Sequence, residues 1–205
     1  MPAELVDKYA WAADVALEAW TVAVVQGRSV EDVLLVYGAD PAAPVGGLTF
    51  AGVDELRGPQ VDQLDLYVQV KSGAGHVVAI ENNGWSGSLP EIARRCSASG
   101  HRFFSVYWNA NGFGMVTQAI DGEVTAGFEM NEPTLPGPAD EWERRPSWAV
   151  GPETDVELVR QTCLAMLEQQ TGVEIDPGWL SEPLPTYRVP EPYWLYRDLP
   201  GADRV

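Results

Sequence analysis

Alternation of apolar and polar residues across the middle of the chain is the pattern that most limits how it can fold. From Leu64 to Lys71, apolar side chains occupy every second position, which is the period of a β-strand with one buried face. Ser72–Gly75 is rich in turn residues, and the apolar run His76–Glu81 is suited to return as the partner strand of a hairpin. Because a tight turn joins only antiparallel neighbours, the pattern predicts an antiparallel sheet.

Three more strands with similar patterning are predicted downstream. Arg102–Asn109 alternates two sets of side chains, and Met115–Ile120 and Glu123–Glu129 follow it closely. Asp121-Gly122 separates the last two segments, and this pair favours the positive φ angles of a two-residue hairpin turn. These segments therefore predict a three-stranded meander after the first hairpin.

The N-terminal segment has the spacing of an amphipathic helix from Val6 to Gln26. One face of that predicted helix carries Ala10, Ala13, Leu17, Trp20 and Val24. A second, short helix is predicted from the Ser29 N-cap to Tyr37, with Gly38 ending it. The two helices are expected to pack as one unit.

Two further helices are predicted from capping boxes, in which a Ser or Thr and a Glu three residues later satisfy each other's backbone amides. Ser88 opens the first, which runs to about Ser99 between the second and third strands. Thr154 opens the second, which Gly172 ends.

Together these elements predict an α+β fold. Its core is an antiparallel sheet of about five strands, arranged as a hairpin, a crossing helix and a three-stranded meander, and packed with N- and C-terminal helices. We expect a single domain over residues 1–175. Residues 176–205 alternate prolines with aromatic residues, and since a disordered tail would contain few aromatics, we expect an arm that packs on the body.

The net charge argues against several classes of partner. The 205 residues include 13 Lys and Arg against 30 Asp and Glu, a net charge of −17, which opposes binding to nucleic acid or to an anionic membrane surface. The acidity lies in the flanks: residues 1–63 carry −7, residues 64–128 carry −1 and residues 129–205 carry −9. No apolar run reaches the roughly 18 residues that would indicate a membrane span.

Cysteine and histidine are too few for a disulfide framework or a zinc site. The N-terminus has acids where a secretory signal would have basic residues, and Cys96 and Cys163 are the two cysteines, so we expect a cytoplasmic protein with reduced thiols. His76 and His101 lack the spacing of zinc ligands. Dinucleotide, phosphate-loop and nucleophile-elbow patterns are absent from the sequence, and we expect neither a metal nor a cofactor.

Polar and aromatic residues gather at the ends of two predicted strands. They are Glu81, Asn82 and Trp85 after one strand, and Tyr107, Trp108, Asn109 and Asn111 at the end of the other. If the strands are neighbours, the loops meet at one edge of the sheet, where Glu81 is the candidate catalytic acid or base and the other six are candidate ligand-binding residues. The other interpretation is a structural corner, because Asn-Gly pairs favour tight turns and a Glu often binds turn amides.

The same residues resemble a known family. The run Val78–Gly87 (VAIENNGWSG), the segment Pro90–Ser97 (PEIARRCS) and the Tyr-Trp-Asn-x-Asn block at 107–111 are similar to an actinobacterial domain family of unknown function. The resemblance, with its E-x-N-G-W and Y-W-N-x-N motifs, covers roughly residues 8–175. It implies a stand-alone cytoplasmic protein in which the two motif loops are important, and it implies no activity.

Alternative functions remain open from the sequence. The first is a protein-interaction module of immunity, adaptor or regulatory type, whose acidic flanks and aromatic tail face a basic protein partner. The alternative is a small-molecule-binding protein or small enzyme with a pocket at the sheet edge of Glu81, Trp85, Trp108 and Asn109. Mimicry of nucleic-acid charge by the acidic surface is a third possibility.

Overall fold

An eight-stranded antiparallel sheet forms the centre of the computed structural model, which describes residues 1–13, 19–57, 65–131, 143–149 and 155–202. The strands are β1 (Ala19–Gln26), β2 (Gly46–Leu48), β3 (Leu66–Gly73), β4 (His76–Asn82), β5 (Arg102–Asn109), β6 (Gly114–Ile120), β7 (Glu123–Glu129) and β8 (Leu184–Val189). Their order across the sheet is β2-β8-β3-β4-β1-β5-β6-β7, and every neighbouring pair is antiparallel.

Helices lie on both faces of this sheet. Within the described residues they are α1 (Ala3–Lys8), α2 (Val30–Val36), α3 (Gly52–Arg57), α4 (Pro90–Ser97), α5 (Val156–Thr171) and α6 (Pro192–Tyr196). Short 3-10 turns span Ala10–Ala13, Ser86–Ser88 and Pro177–Leu180. None of these helices is both long and apolar enough to cross a bilayer.

The predicted number of strands is wrong, because the sheet has eight strands where about five were expected. The five predicted strands are present as β3 to β7, and the β3–β4 hairpin, the helix α4 that follows it and the β5–β6–β7 meander are confirmed. The prediction missed β1, β2 and β8. Since β1 lies between β4 and β5, the hairpin and the meander are not direct neighbours.

Strand β1 replaces the second half of the helix predicted over Val6–Gln26. Both of its faces are buried, with Val22 and Val24 in one core cluster and Ala23 and Val25 in the other. A strand covered on both faces is continuously apolar, so periodicity alone does not distinguish it from a buried helix. Its Thr-Val-Ala-Val-Val sequence is rich in β-branched residues, which is the signal that favours the strand.

Strand β8 comes from the proline- and aromatic-rich tail. It lies between β2 and β3, and it buries Leu184, Thr186 and Val189. Pro185 falls inside it, and a proline lacks the amide that an interior strand uses, so the sequence argued against a strand here. The division of the chain into a domain of residues 1–175 and an arm stays a prediction. One strand of the predicted arm, β8, lies within the sheet of the body.

Two hydrophobic clusters fill the space on opposite faces of the sheet. One lies between the sheet and α5, and it includes Trp20 of β1 and Trp108 of β5. The other lies between the sheet and the pair α2 and α4, and it includes Phe103 of β5 and Ile92 of α4. The sheet is therefore covered on both sides, as a layered α+β fold requires.

The helix starts follow the predictions in part. The predicted Ser29 N-cap of α2 is confirmed, and it is part of a capping box in which the Ser29 hydroxyl accepts from the Asp32 amide while the Asp32 carboxylate accepts from the Ser29 amide. Helix α4 is confirmed, but its predicted cap is wrong. Leu89 is its N-cap, Ser88 donates its hydroxyl to the preceding loop, and the Glu91 carboxylate pairs with two arginines of its own helix.

Two predicted features fall outside the described residues. They are the middle of the first predicted helix, residues 14–18, and the predicted cap at Thr154. Helix α5 itself is confirmed, and Gly172 follows its last residue with a φ of +72°, the left-handed conformation of a helix-ending glycine.

Alanine substitutions in β1 distinguish the strand from the predicted helix. Val22→Ala and Val25→Ala should each lower the free energy of unfolding by about 1–3 kcal/mol, because each removes buried methyl groups on one face of the sheet. Val45→Ala, at a position 46% exposed, should change it by less than about 0.5 kcal/mol. Urea unfolding measures all three variants. A loss at only one of Val22 and Val25 would contradict a strand buried on both faces.

Candidate functional site

The loop after β4 folds back onto the face of the sheet that α2 and α4 cover. Glu81, near the end of β4, is 1% exposed, and its carboxylate reaches this loop. One carboxylate oxygen accepts a hydrogen bond from the Ser86 amide at 2.9 Å, and the other accepts one from the Gly87 amide at 2.7 Å. Glu81 together with residues 84–88 is called the Glu81 corner below.

Three hydroxyl groups of the sheet pair with the carbonyls of the same loop. Thr21 of β1 donates to the Gly84 carbonyl at 2.6 Å, and Ser105 of β5 donates to the Gly87 carbonyl at 2.6 Å. Thr117 of β6 donates to the carbonyl of the next residue at 3.2 Å. A loop buried against a sheet must find partners for its backbone groups, and these side chains supply them within an otherwise apolar core.

Close packing requires glycine at two positions of the Glu81 corner. A Cβ atom on Gly84 would lie 2.6 Å from a carboxylate oxygen of Glu81, and a Cβ atom on Gly87 would lie 2.7 Å from the Tyr37 hydroxyl oxygen. Both distances are shorter than ordinary contacts, so the backbone passes where only a residue without a side chain fits. This packing accounts for the glycine of the E-x-N-G-W motif and for the next glycine after it.

Burial dominates the electrostatics of the Glu81 corner. It raises the pKa of Glu81 to about 7, although the hydrogen bonds from the Gly87 and Ser86 amides act in the opposite direction. The Tyr37 hydroxyl is buried in the same region, and burial raises the pKa of Tyr37 well above its usual value. The carboxyl can therefore gain or lose a proton near neutral pH in a place that solvent does not reach.

The predicted site residues fall on two faces of the sheet instead of around one cavity. Pairing through β1 places Glu81 and Tyr107 in one row, and Asn82 and Trp108 in the row that faces the other way. Trp108 packs edge to face against Trp20, with ring centroids 4.9 Å apart, in the cluster under α5. The structure therefore separates Glu81 from Trp108 by the thickness of the sheet.

The asparagines among these residues support the backbone locally. The side-chain oxygen of Asn109 accepts from the Asn111 amide at 3.0 Å, an Asx turn that helps to close the β5–β6 hairpin, and Asn111 itself is exposed. Asn82 donates to the Phe50 carbonyl at 2.9 Å. Trp85 is half-buried against the α2–α4 cluster. A catalytic or ligand-binding role for the seven residues stays a prediction.

The two thiols of the fold lie in environments that do not favour thiol chemistry. Cys96 and Cys163 are buried, and burial raises the pKa of each thiol to about 12, so both are protonated at neutral pH and poorly nucleophilic. Across the described part of the chain, no three His, Cys, Asp or Glu side chains form a group that could hold a metal ion.

A second surface lies where α6 meets α2. It consists of five exposed side chains, called the α2–α6 patch below: Leu35, Tyr193, Trp194, Leu195 and Leu199. They are five of the nine large apolar side chains that the described residues leave exposed. In the sequence, the aromatic residues of the tail indicated part of this patch. The exposure of Leu35 could not be recognised there, because its neighbours in α2 are also apolar.

A family model matches most of the chain. It is the model of a family of unknown function, and it matches residues 2–189, a region that includes both motif loops and all eight described strands. No curated protein matches the chain, and no solved structure does. The match agrees with the resemblance to a family of unknown function, and it ends before α6.

The pKa of Glu81 predicts a stability that depends on pH. The folded protein holds the Glu81 proton more tightly than the unfolded chain, because the pKa rises from 4.5 to about 7 on folding. The stability contributed by this proton is complete below about pH 4.5 and is lost as the pH rises to about 7. The loss in the free energy of unfolding is on the order of 3 kcal/mol.

Urea unfolding between pH 5 and pH 8 measures this effect by comparison with Glu81→Gln. The variant replaces one acceptor oxygen with an amide group, so a loop amide loses its partner at a cost of about 1–3 kcal/mol at pH 5. Since Gln does not titrate, the two proteins should approach each other in stability, or change order, by pH 8. Glu31→Gln, at an exposed position, is the matched control. A difference that stays constant with pH would contradict a titrating carboxyl at this site.

Gly87→Ala tests the close packing of the Glu81 corner. The added methyl group would lie 2.7 Å from the Tyr37 hydroxyl oxygen, and this overpacking should lower the free energy of unfolding by about 1–3 kcal/mol. Gly47→Ala is the control, because its methyl group would meet nothing closer than 3.8 Å. Equal stability of the two variants in urea would contradict close packing at Gly87, because it would show that the loop accommodates a methyl group there.

Proposed function

The chain belongs to this family of unknown function, DUF6461, and we propose that it is a protein-interaction module that binds a basic partner through the α2–α6 patch. The observation that supports the proposal most is the exposure of large apolar side chains in one place. Leu35 is 58% exposed, Tyr193 60% and Trp194 67%. Tyrosine and tryptophan are the residues that protein interfaces use as anchors, because they bury a large area at a small cost in side-chain entropy.

The helical turn that carries the aromatic residues of the patch, and the Trp194 ring itself, have supporting contacts before any partner binds. The Glu191 carboxylate caps α6, accepting from the Tyr193 and Trp194 amides at 3.2 Å each. The Arg197 guanidinium lies over the Trp194 ring, 4.7 Å from its centroid. Preorganised anchors lose less freedom on binding, so these contacts favour an interface.

Charge supports a basic protein as the occupant of this surface. Glu31 and Asp32 are exposed on α2, and the Asp198 carboxylate beside the patch is 93% exposed and lies 3.6 Å from the Arg197 guanidinium. The whole chain carries −17, so a second copy of it would be repelled, whereas a basic protein would be attracted and oriented as it approaches. A partner with exposed apolar side chains and a net positive charge matches the apolar patch and the net charge of the chain.

The alternative function, a ligand pocket or small active site at the sheet edge, has less support. Its four residues were Glu81, Trp85, Trp108 and Asn109. Glu81 and Trp108 lie on opposite faces of the sheet, and the Glu81 carboxylate oxygens are both engaged by backbone amides. The interaction module is therefore the function that we prefer.

We also propose a cytoplasmic location, an actinobacterial origin and an immunity, adaptor or regulatory type of role. The free and buried thiols of Cys96 and Cys163 support a reducing compartment. The origin rests on the E-x-N-G-W and Y-W-N-x-N motifs alone, and the type of role rests on the acidic surface.

Affinity capture from cells of the source organism tests the α2–α6 patch. The wild-type chain should retain a basic protein at low salt and release it at high salt, because charge attraction is screened by salt. The double variant Leu35→Ser, Trp194→Ser should not retain it. Leu158→Ser, which removes an exposed leucine of α5, is the matched control and should behave as the wild type.

The captured protein is then purified, and its affinity for each variant is measured by calorimetry. Loss of one interface anchor typically costs at least about 1–2 kcal/mol, so the double variant should bind more than about tenfold more weakly than the wild type. Since all three substituted side chains are exposed, the melting temperatures should stay close to that of the wild type. Equal affinity of wild type and double variant, or no salt-sensitive partner at low salt, would overturn the proposal.

A further inference from the structure

The C-terminal segment, residues 190–202, lies in a groove between α2 and α4. Its helix α6 inserts Pro192, which is buried, and Tyr196, which is 8% exposed, while Tyr193 and Trp194 face outwards. Anchors four residues apart lie on one face of a helix, and this is how an amphipathic helix binds a groove on another protein. The segment therefore contacts the body of the protein as a peptide ligand would.

Both helices of the groove bind the aromatic anchor. The Tyr196 hydroxyl donates to the Val36 carbonyl, in the last turn of α2, at 2.6 Å. From α4, the Arg95 guanidinium lies over the Tyr196 ring, 4.9 Å from its centroid. A tyrosine satisfies both contacts, whereas a phenylalanine would leave the Val36 carbonyl without this donor.

Helix α4 also binds the backbone beyond α6. Its Glu91 amide, in the first turn, donates to the Ala202 carbonyl at 3.0 Å. The Arg94 side chain donates to the Gly201 carbonyl at 2.6 Å. These donors recognise backbone oxygens and do not depend on particular side chains, which suits a site for a peptide.

Two surface cavities, both open to solvent, lie beside the segment. One of about 470 Å³ lies towards α2, beside Leu35 and Val36, and one of about 290 Å³ lies towards the start of α4, beside Leu89. Tyr196 and Leu199 line both cavities.

The family match separates the groove from its occupant. The match spans residues 2–189, which include α2 and α4, and residues 190–202 lie beyond it. The groove is thus part of the fold that the family model describes, while the segment that occupies it in this chain lies outside that model.

From these contacts we infer that the groove between α2 and α4 is a peptide-binding site, which the C-terminal segment occupies as an intramolecular ligand. The ligand class is a short helix with an apolar anchor at one position and tyrosine four residues later, followed by an extended backbone. The inference goes beyond the proposed function, because it concerns the contacts that Tyr196 and the segment backbone make with α2 and α4, whereas the α2–α6 patch is the exposed apolar surface beside those contacts.

A labelled synthetic peptide of residues 190–202 tests this inference on the full chain. Fluorescence anisotropy is measured with the wild-type chain and with Tyr196→Ala, which weakens the intramolecular ligand. In the wild type the tethered segment competes at an effective concentration of about 1 mM or more, so the peptide should bind Tyr196→Ala at least tenfold more tightly. A control peptide that itself carries Tyr196→Ala should not bind. Binding of the peptide to neither chain, or to both equally, would overturn the inference.

If Tyr196→Ala does not fold, hydrogen exchange of the wild-type chain tests whether the C-terminal segment is released from the groove. Among the described residues the Glu91 amide donates to the Ala202 carbonyl, so it should exchange through release of the segment, at least a hundredfold faster than the amides of β1. Exchange at the same rate as β1 would show that the segment belongs to the core, and would refute the inference. Neither measurement involves a partner protein, so its failure is distinguishable from failure of the proposed function.

Discussion

Two hydrogen bonds to a buried carboxylate position most of what lies on one face of the sheet. The amides of Ser86 and Gly87 donate to Glu81, and this holds the loop from which α4 begins. Helix α4 then binds the C-terminal segment through the backbone amide of Glu91 and the side chain of Arg94. Strand, loop, helix and tail are therefore connected by one series of contacts that starts inside the sheet.

In a sequence, the polar residues that pair with the backbone of a buried loop can resemble the residues of an active site, and the Glu81 corner is an example. Its amides and carbonyls must be paired, and in an apolar core only polar side chains can pair them. Glu81, Thr21 and Ser105 are used in this way, so an acid and two hydroxyl groups gather as they would around a substrate. What differs from an open active site is access, because each of these side chains is at most 1% exposed.

Both proposals concern the surface, where one short segment presents two different faces. The outer face of α6 offers Tyr193 and Trp194 to a partner, and the inner face places Pro192 and Tyr196 in the groove. A single helical turn can do both because consecutive side chains point in different directions around its axis. The net charge of −17 does not affect the fold in this argument, but it selects a basic protein over a second copy of the chain.

Local signals in the sequence were sufficient for much of the fold. The turn residues at Asp121-Gly122, the cap at Ser29 and the alternation in β3 act over a few residues, so the hairpins and α2 follow from the sequence alone. The sequence also indicated that the loop after β4 is important, but it did not indicate that the loop packs against the sheet. Its glycines and Glu81 contact groups that are distant in the sequence, such as Tyr37.

Only the tertiary structure decided that β1 is a strand at the centre of the sheet and that the predicted site residues lie on opposite faces of it. Residues 19–26 are mostly apolar, with Thr21 and Gln26 as the exceptions, a pattern that suits a buried helix and a doubly covered strand equally well, and their position between β4 and β5 settles the choice. Once β1 pairs with both neighbours, its register puts Glu81 and Trp108 on opposite faces. The sequence by itself determined which segments turn, cap and alternate, whereas the pairing of distant strands determined which side chains meet, because pairing depends on long-range packing that local patterns do not encode.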